Sequence, residues 1–457
     1  MGKIDFGDIQ GFVLSSYSNN MPCANYLLLN IANATSCRRW ITQITGSITN
    51  GKDRKSDFAL NIAFTASAFR KFGFTPDNLL TFSVPFQEGM NTLVRQQLLG
   101  DSGDSAHEKW LWGNDKFPVD ILLLLFATGE DELNTQLEIL KTGIFENGGI
   151  SISKLLFAGR QPDSKEHFGF LDGIGQPIIE GMGRETSQLS RTGHATVIKA
   201  GEFILGHENE MRTIDPLPVM NGMPAFGLNG TYLVFRQLEQ HVHLFWKFLQ
   251  ETTSDNFGIS LPADQIKLGA KIVGRWPSGA PLTIYPDKDP AGPSIVNQEN
   301  KFNFSQEDPA GFGCPIGAHI RRTNPRDSLF NDKTKSLMTV KRHRIIRRGR
   351  SYGHRIDNVF TDDQQERGLH FICLNNSIER QFEFIQQNWV NNRSFGALYN
   401  ETDPLIGQRN DENVFSTQGC PARTRIHNLP EFVTTRGGAY FFMPGIIALK
   451  QLGSGLV

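Results

Sequence analysis

Four segments of the chain repeat one pattern: a short apolar strand, a polar turn and then an amphipathic helix. The predicted pairs of strand and helix are 26–31 with 36–44, 120–127 with 131–141, 231–235 with 238–249, and 369–374 with 377–389. Apolar residues at helical spacing, such as Ile378, Phe382 and Ile385, place one stripe on a helix face. The strands are continuously apolar, so we expect both of their faces to be covered.

Two of these units precede residue 200 and two follow it, which predicts a duplicated α+β protein with helices packed on one side of each sheet. We therefore divide the chain into an N-terminal half, 1–205, and a C-terminal half, 206–457. A stretch rich in Gly, Pro, Thr and Ser, 187–220, is interpreted as the connection. A long insert without a periodic pattern, 286–341, precedes the last unit, and loops of that length usually carry function.

Composition and charge exclude several classes of protein. The net charge of −1 gives no indication of nucleic-acid binding, and five cysteines without a CxxC pair argue against a disulfide framework or a zinc site. No apolar run is long enough for a signal peptide or a membrane span, which predicts a cytoplasmic protein without a membrane partner. A secreted form whose leader has been removed is the alternative.

The first candidate for chemistry is Asp172, which lies in the glycine-rich segment GFLDGIGQP, 169–177. Asp-Gly is a common turn dipeptide, so a plain turn is one interpretation. Phe168, Phe170 and Ile174 surround the acid in sequence, however, and an apolar pocket around a carboxylate is typical of general acid–base catalysis. The neighbouring His167 is an alternative base.

Two further candidates lie in the C-terminal half. Small residues precede His319 in GCPIGAHIRRTNPR, 313–326, and leave room for a bulky group beside the imidazole, although a lone histidine is more often an ordinary polar group. Arg347 lies in the basic run 341–350, which is either a solvated face or, because Ile345 and Ile346 interrupt it, partly turned inward. An arginine that is buried needs an anion as its partner.

These segments resemble the dye-decolourising peroxidases. GFLDG at 169–173 is similar to the GxxDG signature of that family, CPIGAHIRRTNPR at 314–326 resembles its proximal-histidine segment, and IIRRG at 345–349 resembles its distal-arginine segment. The opening DIQG, 8–11, and the ending FVTTRGGAYFFMPGI, 432–446, are also similar to family members. The three blocks in this order are specific, and the resemblance spans essentially the whole chain.

The resemblance implies an α+β fold of two ferredoxin-like halves, of the dimeric α+β barrel type, with antiparallel sheets and peripheral helices. It implies haem b (iron protoporphyrin IX) as the cofactor, held mainly by the C-terminal half, with His319 as the iron ligand. Asp172 and Arg347 are then the catalytic residues that act on hydrogen peroxide, and Arg347 also borders the cofactor. A stretch of about 327–341 between His319 and Arg347 is interpreted as an insertion.

Three more residues are implied near the cofactor. Asp403, in TDPL at 402–405, is the candidate acceptor for the second imidazole nitrogen, with an Asp-Pro turn as the alternative. Asn324 is expected to hold the histidine loop. Arg321 is expected to meet a haem propionate if its segment is extended, so that it shares a strand face with His319.

The implied function is reduction of hydrogen peroxide and oxidation of dyes, phenolics or other small organic donors through a ferryl intermediate. Two alternatives stay open: a haem-handling protein with incidental peroxidase activity, and a binding protein without haem on the same fold. A homo-oligomer is also left open. Trp389, Tyr352 and Tyr399 are candidates for passing electrons from large dyes inward, although Trp389 fits the apolar helix stripe and is better explained as a core residue.

Overall fold

The computed structural model describes residues 4–53, 56–182, 197–220, 222–290, 300–409 and 412–455. Thirteen strands are found among them: β1 Cys23–Ile31, β2 Phe58–Phe64, β3 Ile121–Ala127, β4 Ile150–Gly159, β5 Ile178–Ile179, β6 Val197–Ile198, β7 Thr231–Gln240, β8 Ile346–Arg347, β9 Arg350–Tyr352, β10 Gly368–Asn375, β11 Phe415–Thr417, β12 Thr424–Ile426 and β13 Val433–Met443. The α-helices are Gly11–Leu14, Ala34–Ile44, Ala66–Lys71, Pro76–Leu79, Val84–Glu88, Leu93–Leu99, Glu130–Asn147, Val242–Thr253, Pro262–Val273, Phe304–Glu307, His319–Thr323, Lys333–Arg342 and Ile446–Ser454.

The N-terminal half forms an antiparallel sheet in the order β2-β3-β1-β4. Leu27 of β1 lies opposite Leu123 of β3 on one side and Leu155 of β4 on the other. The helices Ala34–Ile44 and Glu130–Asn147 make the two crossovers and cover one face, where Trp40, Ile41 and Leu137 are buried. This strand order with two crossover helices is the ferredoxin-like arrangement.

The C-terminal half repeats the arrangement. Its sheet has β13 beside β7, β7 beside β10, and β10 beside the short strands β8 and β9. The first crossover contains Val242–Thr253, and the second is a helix formed by Glu379–Glu383 and Ile385–Val390. This second helix is of the wide π type, since the Glu383 amide donates to the Ile378 carbonyl and the Asn391 amide to the Gln386 carbonyl.

The two sheets meet at both edges and close into a barrel. Phe442 of β13 pairs with Phe64 of β2, and Gly159 of β4 pairs with Ser351 of β9. Alternate residues of the strands point between the sheets and form one core cluster, which includes Tyr26, Phe126, Phe235 and Phe441. The predicted fold of two ferredoxin-like halves with antiparallel sheets and peripheral helices is confirmed.

The structure differs from the sequence-based prediction in several elements. The helix predicted at 238–249 begins at Val242, because residues up to Gln240 continue β7. The insert at 286–341 is not irregular throughout: the helices Phe304–Glu307, His319–Thr323 and Lys333–Arg342 occupy part of it, and residues 291–299 lie outside the described ranges. The predicted connection, 187–220, also lies partly outside them, so the boundary at 205 stays a prediction.

Within the described ranges, no helix combines the length and the apolar composition needed to cross a bilayer.

Candidate active site

Asp172 lies in a loop that follows β4, and backbone contacts within the loop fix its shape. Gly169 and Gly173 have φ angles of +98° and +82°, which glycine adopts without strain, and the Asp172 amide donates to the Ser164 carbonyl at 3.1 Å. The Asp172 Oδ1 atom accepts hydrogen bonds from the Gly173 amide at 2.6 Å and from Arg347 Nη1 at 3.4 Å. The loop therefore presents the carboxylate towards β8.

Neither Asp172 nor Arg347 is enclosed in the way the sequence suggested. Their side chains are 47% and 38% exposed. Phe168 and Phe170 pack against Phe245, with ring centroids 4.6 Å and 6.3 Å away, and they line a common cavity with Asp172 without enclosing its carboxylate. The acid therefore has solvent access and an arginine neighbour in addition to apolar residues on the walls of its cavity.

The basic run of 341–350 is divided between surface and interior. Ile346 is buried in the barrel core, while Arg347 turns to the opposite side of β8 and its amide donates to Gln176 Oε1 at 3.1 Å. Arg348 and Arg350 point inward and donate to backbone carbonyls of the N-terminal segment, Phe12, Val13 and Ser16. The interpretation as a wholly solvated face is wrong.

His319 is the first residue of a short helix, His319–Thr323, and not part of an extended segment. Its Nδ1 atom donates to Oδ2 of Asp403 at 2.9 Å. The imidazole is 24% exposed, whereas the Asp403 carboxylate is fully buried. Because Nδ1 carries the proton in this pair, Nε2 retains its lone pair and is the nitrogen available to a ligand.

Asp403 is anchored from several directions. Its Oδ1 atom accepts from the amides of Leu405 and Ile406 at 2.9 and 3.1 Å, so the Asp-Pro turn and the contact with His319 coexist. Burial by itself raises the pKa of the Asp403 carboxyl, but His319 and Arg322 outweigh burial and hold the pKa below its usual value. The Asp403 carboxylate is therefore a charged acceptor that orients the imidazole of His319.

One cavity of about 280 Å³ joins these groups, because Asp172, His319 and Arg347 all line it. Asn324, which was expected to hold the histidine loop, also lines it. The other walls are mainly apolar and come from the loop around Asp172, the insert at 286–341, the helix of π type, the C-terminal sheet and the turn after Asp403: Phe170, Leu171, Ile174, Leu238, Phe302, Phe304, Ile345, Phe371, Phe382, Ile385, Val390, Leu405 and Ile406. We refer to this space as the histidine cavity.

Three arginines that the sequence analysis missed also line the histidine cavity: Arg275, Arg326 and Arg344. Arg275 Nη2 and Arg326 Nη2 both donate to Asn300 Oδ1, at 3.0 and 3.1 Å. Burial, together with repulsion from Arg275 and Arg344, lowers the pKa of Arg326 well below its usual value. The signal was present in the triplet NPR at 324–326, but its convergence with residues 275 and 344 depends on the tertiary fold.

Two other expectations need correction. Arg321 does not line the histidine cavity: it is buried, its Nη1 atom lies 3.3 Å from Asp308 Oδ2, and its guanidinium lies over the ring of Phe304. The reason is the helix at 319–323, which turns Arg321 away from His319. His167 is buried too and contacts the Tyr352 carbonyl at 2.8 Å; burial lowers its pKa to about 4, and it lies outside the cavity lining.

Glu166 is a second acid near Asp172 that the sequence analysis did not single out. Its carboxylate accepts from the amides of Phe168 and Phe170 at 2.8 and 2.9 Å and from Gln240 Nε2 at 2.6 Å, so it fixes the turn before Asp172. Burial raises its pKa to about 7, against the effect of these hydrogen bonds. Of the proposed electron-passing residues, Trp389 is buried and Tyr399 is exposed.

Comparison with known proteins identifies relatives over nearly the whole chain. The chain is 32% identical over 415 residues to dye-decolorizing peroxidase msp1 of Mycetinis scorodonius, which covers 86% of this chain and 76% of that protein. It is 30% identical to dye-decolorizing peroxidase AauDyP1 of Auricularia auricula-judae, over 98% and 86% of the two chains. A dye-decolorizing peroxidase solved in complex with 2,6-dimethoxyphenol superposes with a TM-score of 0.81 at 24% identity, over 98% of this chain and all of that one. A scan against models of protein families finds no match.

Proposed function

Because this chain belongs to the dye-decolourising peroxidase family and is a haem peroxidase, we propose that it binds haem b in the histidine cavity and uses Asp172 and Arg347 to reduce hydrogen peroxide. The electron donors are phenols and other small organic molecules, including dyes. The observation that carries this proposal is that His319, Asp172 and Arg347 line one apolar cavity although they come from three separate segments.

The residues around the histidine cavity fit a haem. Its apolar walls suit a porphyrin ring, and His319 offers Nε2 to the iron while Asp403 holds Nδ1–H. Arg275, Arg326 and Arg344 are suited to the two propionates, because three guanidinium groups line one largely apolar cavity and carboxylates are the anions that arginine binds best. Arg321 has no part in cofactor binding in this proposal, since Asp308 already neutralises it.

Asp172 and Arg347 have different roles in the reaction with hydrogen peroxide. Haem, when bound, supplies an iron that exchanges electrons with peroxide and with the donor. Asp172 Oδ1 is engaged by Gly173 and Arg347, which leaves Oδ2 to take a proton from one peroxide oxygen and return it to the other. The Arg347 guanidinium stabilises the negative charge that develops as the O–O bond breaks.

An absorption spectrum and donor oxidation test this assignment together. We expect a strong band near ~400 nm for the purified protein, and peroxide-dependent oxidation of 2,6-dimethoxyphenol. Asp172→Ala should lower kcat/KM for peroxide by about 10²–10⁴-fold, as expected for loss of a positioned proton-transfer group, and Arg347→Ala by about 10²–10³-fold, as expected for loss of a charge-stabilising donor.

A matched control is Asp264→Asn, at an exposed position in the first turn of Pro262–Val273, which should keep the wild-type rate. Near wild-type oxidation by both Asp172→Ala and Arg347→Ala would show that these residues are not the catalytic pair. A protein that takes up no haem would instead support the binding protein without haem.

A further inference from the structure

A second cavity, of about 460 Å³, lies beside the histidine cavity and shares Glu166, Asp172 and Arg347 with it. Its remaining walls come from the N-terminal segment, the end of β4, the loop before Asp172 and the strands β8 and β9. We call it the basic cavity, because the cations in its lining are Arg160, Lys165, Arg347, Arg348 and Arg350. Glu166 and Asp172 are the acids in its described lining, so its net charge is +3 with both ionised.

These cations have few carboxylate partners. In the described part of the chain, the one ion pair that any of them makes is between Arg347 and Asp172, at 3.4 Å. Arg348 donates to the backbone carbonyls of Phe12 and Val13, and burial lowers its pKa to about 10. A buried guanidinium without a counter-ion is costly, and an anion that enters the cavity relieves that cost.

The orientation of Arg160, an exposed cation in this lining, is fixed by hydrogen bonds to neutral groups. Arg160 Nη1 donates to Asn19 Oδ1 at 2.6 Å, and its Nη2 donates to Ser164 Oγ at 2.6 Å. Neutral partners fix the orientation of this guanidinium but leave its charge uncompensated. Ser16, Ser18, Gln161 and Gln176 add further polar groups to the lining.

We propose that the basic cavity binds small aromatic carboxylates and makes them preferred electron donors over neutral phenols of the same shape. The proposal rests on the proposed function, since two donor phenols reduce one peroxide: each gives one electron and one proton, and H₂O₂ becomes two molecules of water. A donor bound there lies against Asp172 and Arg347, next to the histidine cavity.

A matched pair of donors isolates the effect of charge. Syringate is 2,6-dimethoxyphenol with a carboxylate para to the hydroxyl. We expect the ratio of kcat/KM for syringate to kcat/KM for 2,6-dimethoxyphenol to fall about fivefold in Arg160→Gln and in Lys165→Gln, and further in the double variant, as expected for loss of one charge near contact distance. Arg39→Gln, on the exposed side of Ala34–Ile44, removes a remote charge and should leave the ratio unchanged.

Two measurements on the wild-type protein test the proposal without any variant, so they do not depend on whether a variant folds. Raising the ionic strength from about 0.01 M to about 0.15 M should lower kcat/KM for syringate more than kcat/KM for 2,6-dimethoxyphenol, because salt screens the attraction between the carboxylate and the cations. Calorimetry without peroxide should show tighter binding of syringate than of 2,6-dimethoxyphenol. An unchanged ratio in the double variant, or equal binding of the two donors, would overturn the proposal. If neither donor is oxidised but syringate binds more tightly, the peroxidase assignment fails while the anion site stands.

Discussion

At the scale of single residues, the contact between His319 and Asp403 joins positions 84 residues apart in sequence. The Asp403 carboxylate has no exposure to solvent, and its Oδ1 atom accepts hydrogen bonds from two backbone amides. These contacts fix the orientation of Oδ2 towards His319. This arrangement sets which imidazole nitrogen carries the proton. The identity of residue 403 is therefore expected to control the affinity for haem through the tautomer of His319.

Asp403→Asn tests this control. Asparagine Oδ1 can still accept from the amides of Leu405 and Ile406, which turns the side-chain NH₂ towards His319 Nδ1 and favours the tautomer with hydrogen on Nε2. We expect haem affinity to fall by about 10–100-fold, measured as the rate of haem transfer to a scavenger protein. Asp264→Asn is the control, and wild-type retention by Asp403→Asn would contradict the orienting role.

Glu166 predicts a pH dependence of stability. Its pKa of about 7 in the folded protein lies above the usual value near 4.5, so the folded state holds a proton that the unfolded state has lost. This contribution is most favourable below pH ~4.5 and is lost as the pH rises to about 7. After allowance for solvent in the adjoining cavities, we expect Glu166→Gln to gain roughly 2 kcal/mol relative to the wild type across that window.

Urea unfolding at pH 4.5 and at pH 7.5 measures the difference. Glu251→Gln removes an exposed acid from Val242–Thr253 and should show no such change. A stability difference between Glu166→Gln and the wild type that is the same at both pH values would refute the raised pKa.

At the scale of helices and strands, local pattern was sufficient where an element buries a continuous apolar run. The strands β1 and β10 contain the predicted runs, β3 begins one residue after its predicted start, and Ala34–Ile44 begins two residues before its predicted start. The pattern failed at 238–249, because an apolar residue at the end of β7 also fits the spacing of the helix that follows. Pairing with β10 decided the matter, and pairing is not visible in a local window.

The same limit of local sequence patterns explains which residues of the site the sequence analysis identified and which it missed. The sequence analysis singled out Asp172, His319 and Arg347 because each lies in a short, unusual segment that resembles a known family. Arg275 and Arg344 lie in ordinary surroundings, and only the fold brings them to one cavity with Arg326. Arg321 was misplaced because a single turn of helix cannot be distinguished from an extended segment over five residues.

The helix Ala34–Ile44 offers a test of capping. Asn33 accepts a hydrogen bond from the Ser36 amide at 2.9 Å and satisfies one of the free donors at the start of the helix. We expect Asn33→Ala to lower the free energy of unfolding by about 1 kcal/mol, as measured by chemical denaturation. Asn33→Asp retains the acceptor and should stay near the wild type; equal losses in both variants would rule out capping as the cause.

At the scale of the whole molecule, the barrel closes through two narrow edge contacts, and buried polar pairs add to the connection between the halves. Arg95 of the N-terminal half lies 2.8 Å from Glu383 of the C-terminal half, which also accepts from the Tyr440 hydroxyl at 2.8 Å. Both members of the ion pair are nearly inaccessible to solvent. Removal of Glu383 leaves Arg95 with the partly exposed Glu88 but without its buried counter-charge, and leaves the buried Tyr440 hydroxyl without this acceptor.

Glu383→Ala is therefore expected to cost about 3–5 kcal/mol of unfolding free energy. The matched control is Glu88→Ala: Glu88 pairs with the same arginine at 2.8 Å but is 42% exposed, so its removal should cost under about 1 kcal/mol. Urea denaturation of both variants gives the comparison, and equal losses would mean that burial of the pair across the halves is unimportant.

The contact between Asp172 and Arg347 spans 175 residues, so it forms only after most of the chain has left the ribosome. A nascent chain that contains only the first ferredoxin-like unit has Asp172 but lacks both Arg347 and His319. On the proposed assignment of these residues, peroxidase activity appears only once most of the C-terminal half has been synthesised, and proteolysis between residues 172 and 347 that separates the two halves would remove that activity.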